Sequence, residues 1–121
     1  AAEARARGDE QRALMRPYVA DFEHLEGEAH RLRGSYEEAA EALDRAARTA
    51  LGYRRLLWRI EASRASVEDA RGNAAAAGHA KDEARWIVEA IAESLRPVGL
   101  AERFQARPEV AALLRVEARP N

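Results

Sequence analysis

The chain has no cysteine, so disulfides, zinc–thiolate sites and a cysteine nucleophile are excluded at once. It has no excess of charge: a formal net charge of −1 leaves no electrostatic case for nucleic acid. No apolar run approaches the ~18 residues needed to span a bilayer, and there is no secretory hydrophobic segment. The expectation is a cytoplasmic chain without membrane contact. Serines are few and lack the strand–turn–helix setting that displays a nucleophile. Gly72-Asn73, followed by alanines, lacks the lysine and the second glycine of a phosphate loop. Nothing calls for a cofactor or a metal, and no enzymatic activity is expected.

Alanine is what the chain has, at roughly a quarter of all residues. Val, Ile and Thr are sparse and there are four prolines, a composition that favours helix throughout. Lys81 is the single lysine among many arginines. The arginines are interleaved with Asp and Glu, the pattern of solvated helix faces. At 121 residues this is one domain or a piece of one. It begins at Ala1 rather than Met, which reads as a fragment of a longer protein or a processed product.

Three glycines are followed by a residue suited to start a helix: Gly8-Asp9, Gly34-Ser35 and Gly72-Asn73. Glycine ends a helix because it tolerates positive φ, and Asp, Ser or Asn begins the next. Tyr18, Phe22, Leu25, Ala29 and Leu32 form an apolar stripe up to Gly34. Ser35 with Glu38 makes a capping-box pattern. Tyr36, Ala39, Leu43, Ala46 and Ala50 form the next stripe, closed by Gly52. A third helix is predicted from about Arg54 to Arg71, with Leu56, Ile60, Ser63, Val67 and Ala70 aligned. A fourth carries Ala77, Ala80, Ala84, Ile87, Val88, Ile91 and Leu95 and stops before Pro97. Pro17 is expected to break a helix. Leu100, Phe104, Val110, Leu113 and Leu114 would then form a cap on two short helices.

The glycines also align small residues. Ala1, Gly27 and Ala65 stand before them, and Ala13, Ala39 and Ala77, then Ala20, Ala46 and Ala84, stand after. With Pro17 so near, the match at Ala20 reads as coincidence. Small side chains at such spacing allow two antiparallel helices to cross closely. The pattern resembles the tetratricopeptide repeat, carried by Gly27, Gly34, Tyr36, Ala39, Leu43 and Ala46. A second unit at Ala65, Gly72, Ala77 and Ala84 has Ala74 and Lys81 where that family has an aromatic and a large apolar residue. The corners are about 26 and 38 residues apart, against about 34 in the family. The resemblance implies an all-α stack of antiparallel helical hairpins, a short TPR-like solenoid with a C-terminal capping helix. The expected divisions are a partial repeat remnant at 1–19, hairpins at 20–52 and 53–97, a cap at 98–115 and a frayed tail at 116–121.

The segment from Gly72 to Leu114, with Ala84-Arg85-Trp86-Ile87-Val88 and Leu100 to Val110, resembles the C-terminal end of repeat regions in large bacterial regulators. Those proteins join a nucleotide-binding ATPase module to a helical array. The resemblance implies a sensor or scaffold segment of a signalling or transcription regulator. Its partner would be a protein or peptide, or another domain of the parent chain. Glu23, Glu61, Arg64 and Glu68 are the expected groove-facing polar residues. Trp86 lies off its helix stripe, either under the cap or as an exposed interface anchor. A stack left open at residues 1–20 is expected to self-associate there as a dimer.

One segment offers a different class of function. His30-Arg31-Leu32-Arg33-Gly34-Ser35 resembles the phosphoryl-accepting stretch of histidine phosphotransfer domains. That resemblance implies His30 as acceptor, Arg33 screening the phosphate and Gly34 leaving room for a docking partner. It requires the helix to continue through Gly34. Glu26 and His30 are one turn apart, but two ligands without a third make a poor metal site, and an ion pair is the expectation. His24 and His79 have no partners at ligand spacing.

Overall fold

The structure, a computed structural model, describes residues 2–115. These residues fold into six α-helices, one 3₁₀ turn and no strand. The helices are α1 (Ala2–Leu32), α2 (Tyr36–Thr49), α3 (Arg54–Ala70), α4 (Ala74–Leu95), α5 (Ala101–Gln105) and α6 (Pro108–Leu114). The 3₁₀ turn, Arg96–Val98, follows α4. Short connections make sequential helices antiparallel neighbours. α1 packs along α2 and α3 along α4, while α3 also lies against α2 and α1. α5 and α6 fold back onto α4.

The Gly34 and Gly72 corners share one geometry, with φ of +79° and +77°. The Gly34 N–H donates to the Arg31 carbonyl at 3.0 Å and the Ser35 N–H to the His30 carbonyl at 2.9 Å. At the other corner Gly72 donates to Asp69 at 3.1 Å and Asn73 to Glu68 at 2.8 Å. These paired bonds satisfy the last carbonyls of α1 and α3 and stop both helices. Ser35 and Asn73 occupy the N-cap positions of α2 and α4, yet neither side chain caps a helix N–H. The expected capping box of Ser35 and Glu38 is therefore not formed. Asn73 Nδ2 instead donates to Glu68 Oε1 at 3.2 Å, reaching back across the corner.

The N-terminal part differs from the sequence expectation. Gly8-Asp9 is not a corner: α1 runs through both and through Pro17. A mid-helix proline removes one N–H and leaves the carbonyl four residues earlier without its donor. That carbonyl belongs to Ala13, and the Tyr53 hydroxyl donates to it at 3.5 Å. Residues 1–19 are thus no separate remnant where they are described. Ala20, expected to match by coincidence, is fully buried with Ala46, Ala47, Ala50, Leu56 and Ile60. The stripe of Tyr18, Phe22, Leu25 and Leu32 points the other way and is exposed. Small residues win the inner face of α1 because α2 approaches too closely for large ones. A Cβ placed on Gly27 would lie 2.5 Å from Leu43 Cδ2.

The core is a row of small contacts ended by a bulky plug. Ala39, Leu43 and Val67 join α2 to α3, with Tyr36 packed on them. Ala65, Ala77 and Ala84 are buried along the α3–α4 pair. At the C-terminal end Trp58, Ala84, Ile87 and Val88 are covered by Val110 and Leu113 of α6. Phe104 meets Trp58 edge-on, 6.4 Å between centroids and 90° between planes. Each such aliphatic side chain, once buried, contributes about 1.5–3 kcal/mol. Trp86 is outside this plug and exposed, as the interface-anchor alternative requires. The surface is laced with i,i+3 and i,i+4 ion pairs, including Arg12–Asp9, Arg48–Asp44 and Arg96–Glu93. Among the described residues no helix is long and apolar enough to cross a membrane. Ala1 and the tail at 116–121 lie outside the described residues.

Candidate interaction surface

α1 and α3 lie side by side and bring a chain of polar side chains together. His24 Nε2 and Ser63 Oγ are 2.8 Å apart. Ser63 also lies near Glu28, one turn along α1 from His24, close enough to help stabilise its carboxylate. Arg31 donates to both oxygens of Glu28, from Nε at 3.1 Å and from Nη2 at 2.9 Å. Burial pushes the Glu28 carboxyl up, but the Arg31 guanidinium bonded to it, helped by the nearby Ser63 hydroxyl, outweighs that and holds the group below its usual value. Burial also lowers His24 and Arg59 adds to that, against the opposing pull of Glu28 and Asp21. The imidazole is therefore kept neutral at neutral pH.

Arg59 extends this surface towards α6. Its guanidinium lies 4.9 Å over the Trp58 ring and 4.0 Å from Glu109. Trp58, Arg59, His24, Glu28, Ser63 and Glu109 surround a shallow cavity of about 230 Å³. A second one, about 180 Å³, continues past Arg31 and Ser66. The arrangement does not form a nucleophilic triad. Ser63 stands between the imidazole and the carboxylate, whereas activation needs the imidazole in the middle. Ser63 is also in the interior of α3, where backbone N–H groups are spent on the helix and cannot serve an oxyanion. What the surface can do is present paired donors and acceptors along a groove.

The residues singled out from sequence occupy several faces. Glu61 is buried, its carboxyl raised chiefly by that burial, with Arg64 Nη1 bonded to it at 3.2 Å. Arg64 also reaches Asp44 of α2 at 3.6 Å. Glu68 holds Arg71 at 3.1 Å. Arg64 and Glu68 line a cleft of about 340 Å³ on the α2–α3 side, with Glu37, Glu41 and Asp44. Glu23 is half-buried on α1, and its Oε1 is buried with no hydrogen-bond partner among the described residues. Trp86 is exposed on α4. So Glu61, Arg64 and Glu68 are brought together, and Glu23 and Trp86 stand apart from them. A further opening, about 610 Å³, lies between the N-terminal half of α1 and the end of α2, beside Arg12, Arg16 and Arg48.

His30 is half-buried near the end of α1, with Arg33 Nη2 at 3.0 Å from its Nδ1. Glu26 does not pair with His30, as the one-turn spacing had implied, but reaches across to Arg45 at 3.9 Å. Among the described residues no group of three or more His, Asp or Glu could hold a metal ion. His24, which has no partner at metal-ligand spacing in the sequence, is the residue that sequence reasoning missed. The signal was Ser63, a hydroxyl set into the apolar row of α3 and needing a polar partner. No family model, curated protein or solved structure matches this chain.

Proposed function

We propose that the chain is a scaffold that holds a protein or peptide segment along the groove between α1 and α3. In this reading α1–α2 and α3–α4 are two stacked hairpins of a short TPR-like solenoid. Their first helices line the receiving surface, and α5 and α6 close the last unit. One observation carries the reading. The groove is floored by two hydrogen-bonded pairs set side by side, His24 with Ser63 and Arg31 with Glu28, flanked by Arg59 on Trp58. Fixed polar groups beside an aromatic suit an extended peptide better than a reacting small molecule. The chain then binds and transmits within a larger bacterial regulator, and it does not catalyse.

The end of α1 at Leu32 supports this reading over the phosphoryl-carrier one, which needed helix through Gly34. The test is fluorescence polarisation against a library of labelled peptides, repeated with Arg59→Glu and Ser63→Leu. Binding that weakens in both variants, with the helical spectrum retained, supports the scaffold. Binding indifferent to both changes, or acetyl-phosphate labelling that vanishes in His30→Gln, sinks it.

A further inference from the structure

The outward side of α1 carries Met15, Tyr18, Phe22, Leu25, Ala29 and Leu32 in alternating steps of three and four. That alternation is the spacing of a helix–helix seam. The residues that α1 buries, Ala20 and Gly27, stand on the opposite side of the helix. Exposure of the large members is 53% for Met15, 67% for Tyr18, 63% for Phe22, 67% for Leu25 and 76% for Leu32. With the neighbouring Leu14 and Val19, also exposed, this patch amounts to on the order of 800 Å². Monomers rarely expose so much contiguous apolar surface, and it equals one side of a stable dimer interface.

Three observations say what covers it. The first is the pattern of sizes. When Gly34 is set on Gly72, the stripe of α1 falls on the α3 row of Leu56, Ile60, Ser63, Val67 and Ala70. In α3 the small members Ser63 and Ala70 break the row, and Ser63 admits His24 of α1. In α1 those positions are Leu25 and Leu32, so large side chains fill four of the five matched positions, all but Ala29, and can meet a single facing helix. The second is the state of the other end. Val110 and Leu113 of α6 already cover Trp58, Ile87 and Val88, so copies cannot chain head to tail there. Among the described residues Leu51, Trp86, Val98 and Leu100 are also exposed but form no helical stripe, and one extended apolar stripe on each copy closes a two-fold dimer. The third is charge. Four arginines against three acids leave the N-terminal half of α1, residues 2–16, with a charge of +1, and four acids against Arg31 leave the C-terminal half, residues 17–32, with −3. An antiparallel pairing sets base against acid, whereas a parallel one sets acid beside acid.

We infer that α1 packs antiparallel on α1 of a second copy, with Tyr18 facing Phe22 of that copy and the two-fold axis at the level of Val19–Asp21. Leu25 then faces Met15 of that copy, so the paired large side chains are those of residues 15–25, and the terminal end of the stack is not the interface. It is independent of what the α1–α3 groove holds.

The experiment is sedimentation equilibrium of the full chain from sub-micromolar to high micromolar concentration. A dimer is expected, and Phe22→Glu should raise its dissociation constant on the order of 100-fold or more while leaving the helical spectrum intact. Leu25→Lys should do the same, and Leu51→Glu, equally exposed but elsewhere, should change nothing. The absence of cysteine makes single-cysteine crosslinking clean. Val19→Cys should crosslink to its own copy under a short bis-maleimide, and Leu32→Cys should not. A monomer at every concentration overturns the inference and assigns the stripe to a helix of another protein or of the parent chain. A dimer indifferent to Phe22→Glu and Leu25→Lys, or one crosslinked through Leu32→Cys, overturns it as well.

Discussion

The Tyr53 hydroxyl donates to the carbonyl of Ala13, the backbone acceptor that Pro17 leaves without a helical donor. A long helix keeps an internal proline more easily when a side chain from elsewhere fills the missing bond. Tyr53 is held for that role by its position at the N-cap of α3 and by Arg16, whose guanidinium lies 6.0 Å over its ring.

Tyr53→Phe should therefore cost about 0.5–1 kcal/mol, the low end for a part-exposed neutral bond. In a Pro17→Ala background the helix supplies its own donor to Ala13, and Tyr53→Phe should become nearly silent. A double-mutant cycle by urea unfolding reads the coupling. Equal effects of Tyr53→Phe in both backgrounds would show that the hydroxyl does not serve this carbonyl.

Gly27 is needed for space and Gly78 is not. A Cβ on Gly27 meets Leu43 Cδ2 at 2.5 Å, whereas one on Gly78 meets nothing within 4 Å. Leu43 is fully buried, so it can yield only by disturbing Ala39 and Val67 beside it. Gly27→Ala should destabilise by about 1–3 kcal/mol through overpacking. Gly78→Ala, inside α4, should stabilise by about 0.5–1 kcal/mol through helix propensity. Thermal melts of the two variants should move in opposite directions. A stabilised Gly27→Ala would mean that α1 and α2 are not in the close contact described.

The same pair of helices shows what the sequence made legible. Apolar periodicity and the corners at Gly34 and Gly72 were readable because both act locally, through φ and the last carbonyls of a helix. Which side of α1 turns inward was not readable. Hydrophobicity favours Tyr18, Phe22 and Leu25, but the distance set by Ala39, Leu43 and Ala46 of α2 admits only Ala20 and Gly27. That is a property of two helices together, and no single-helix pattern contains it. The continuity of α1 through Pro17 was hidden for a like reason, since the compensating hydroxyl comes from Tyr53, far along the chain. Glu61 was singled out as groove-facing because it is polar, whereas it is buried and Arg64 pairs with it. The His24–Ser63 contact was half legible: Ser63 in an apolar row announced a polar partner, but only the packing of α3 on α1 says which.

His24 and Glu61 should tilt the pH dependence of stability in opposite directions. Burial lowers His24 below its ordinary 6.5, so the unfolded chain takes up the proton first as pH falls. Stability is then lost as pH drops through 6.5 towards the lower folded value. The groups around His24 are Glu28, Asp21 and Arg59, with Ser63 on the ring nitrogen. Glu61 is raised above its ordinary 4.5, so the unfolded chain releases its proton first as pH climbs. Stability from the protonated carboxyl is lost as pH rises through 4.5 to the folded value. Urea midpoints measured across this range should lose their slope near 6.5 in His24→Gln. Glu61→Gln should be at least as stable as the natural chain at neutral pH. A steep loss in Glu61→Gln at neutral pH would mean that the charged pair with Arg64 outweighs the burial cost.

The plug at the C-terminal end gives the last prediction its own reporter. Trp58 is buried among Val88, Val110 and Leu113, while Trp86 on α4 is exposed. Trp86→Phe removes the wet indole without touching the core, and leaves Trp58 as the single tryptophan. Its emission should be blue-shifted, since the surrounding side chains exclude water. Val110→Ala opens a gap of two methyl groups against Trp58 and should cost about 1–3 kcal/mol. Val110→Asp places an unpaired charge in the same spot, which should expel α6 and shift the Trp58 emission to the red. Helical content should fall only slightly, because α6 is short and α1 to α4 keep their mutual contacts. If Val110→Asp left the emission unchanged, Trp58 would be sealed by α4 alone and α6 would not be the cap of this fold.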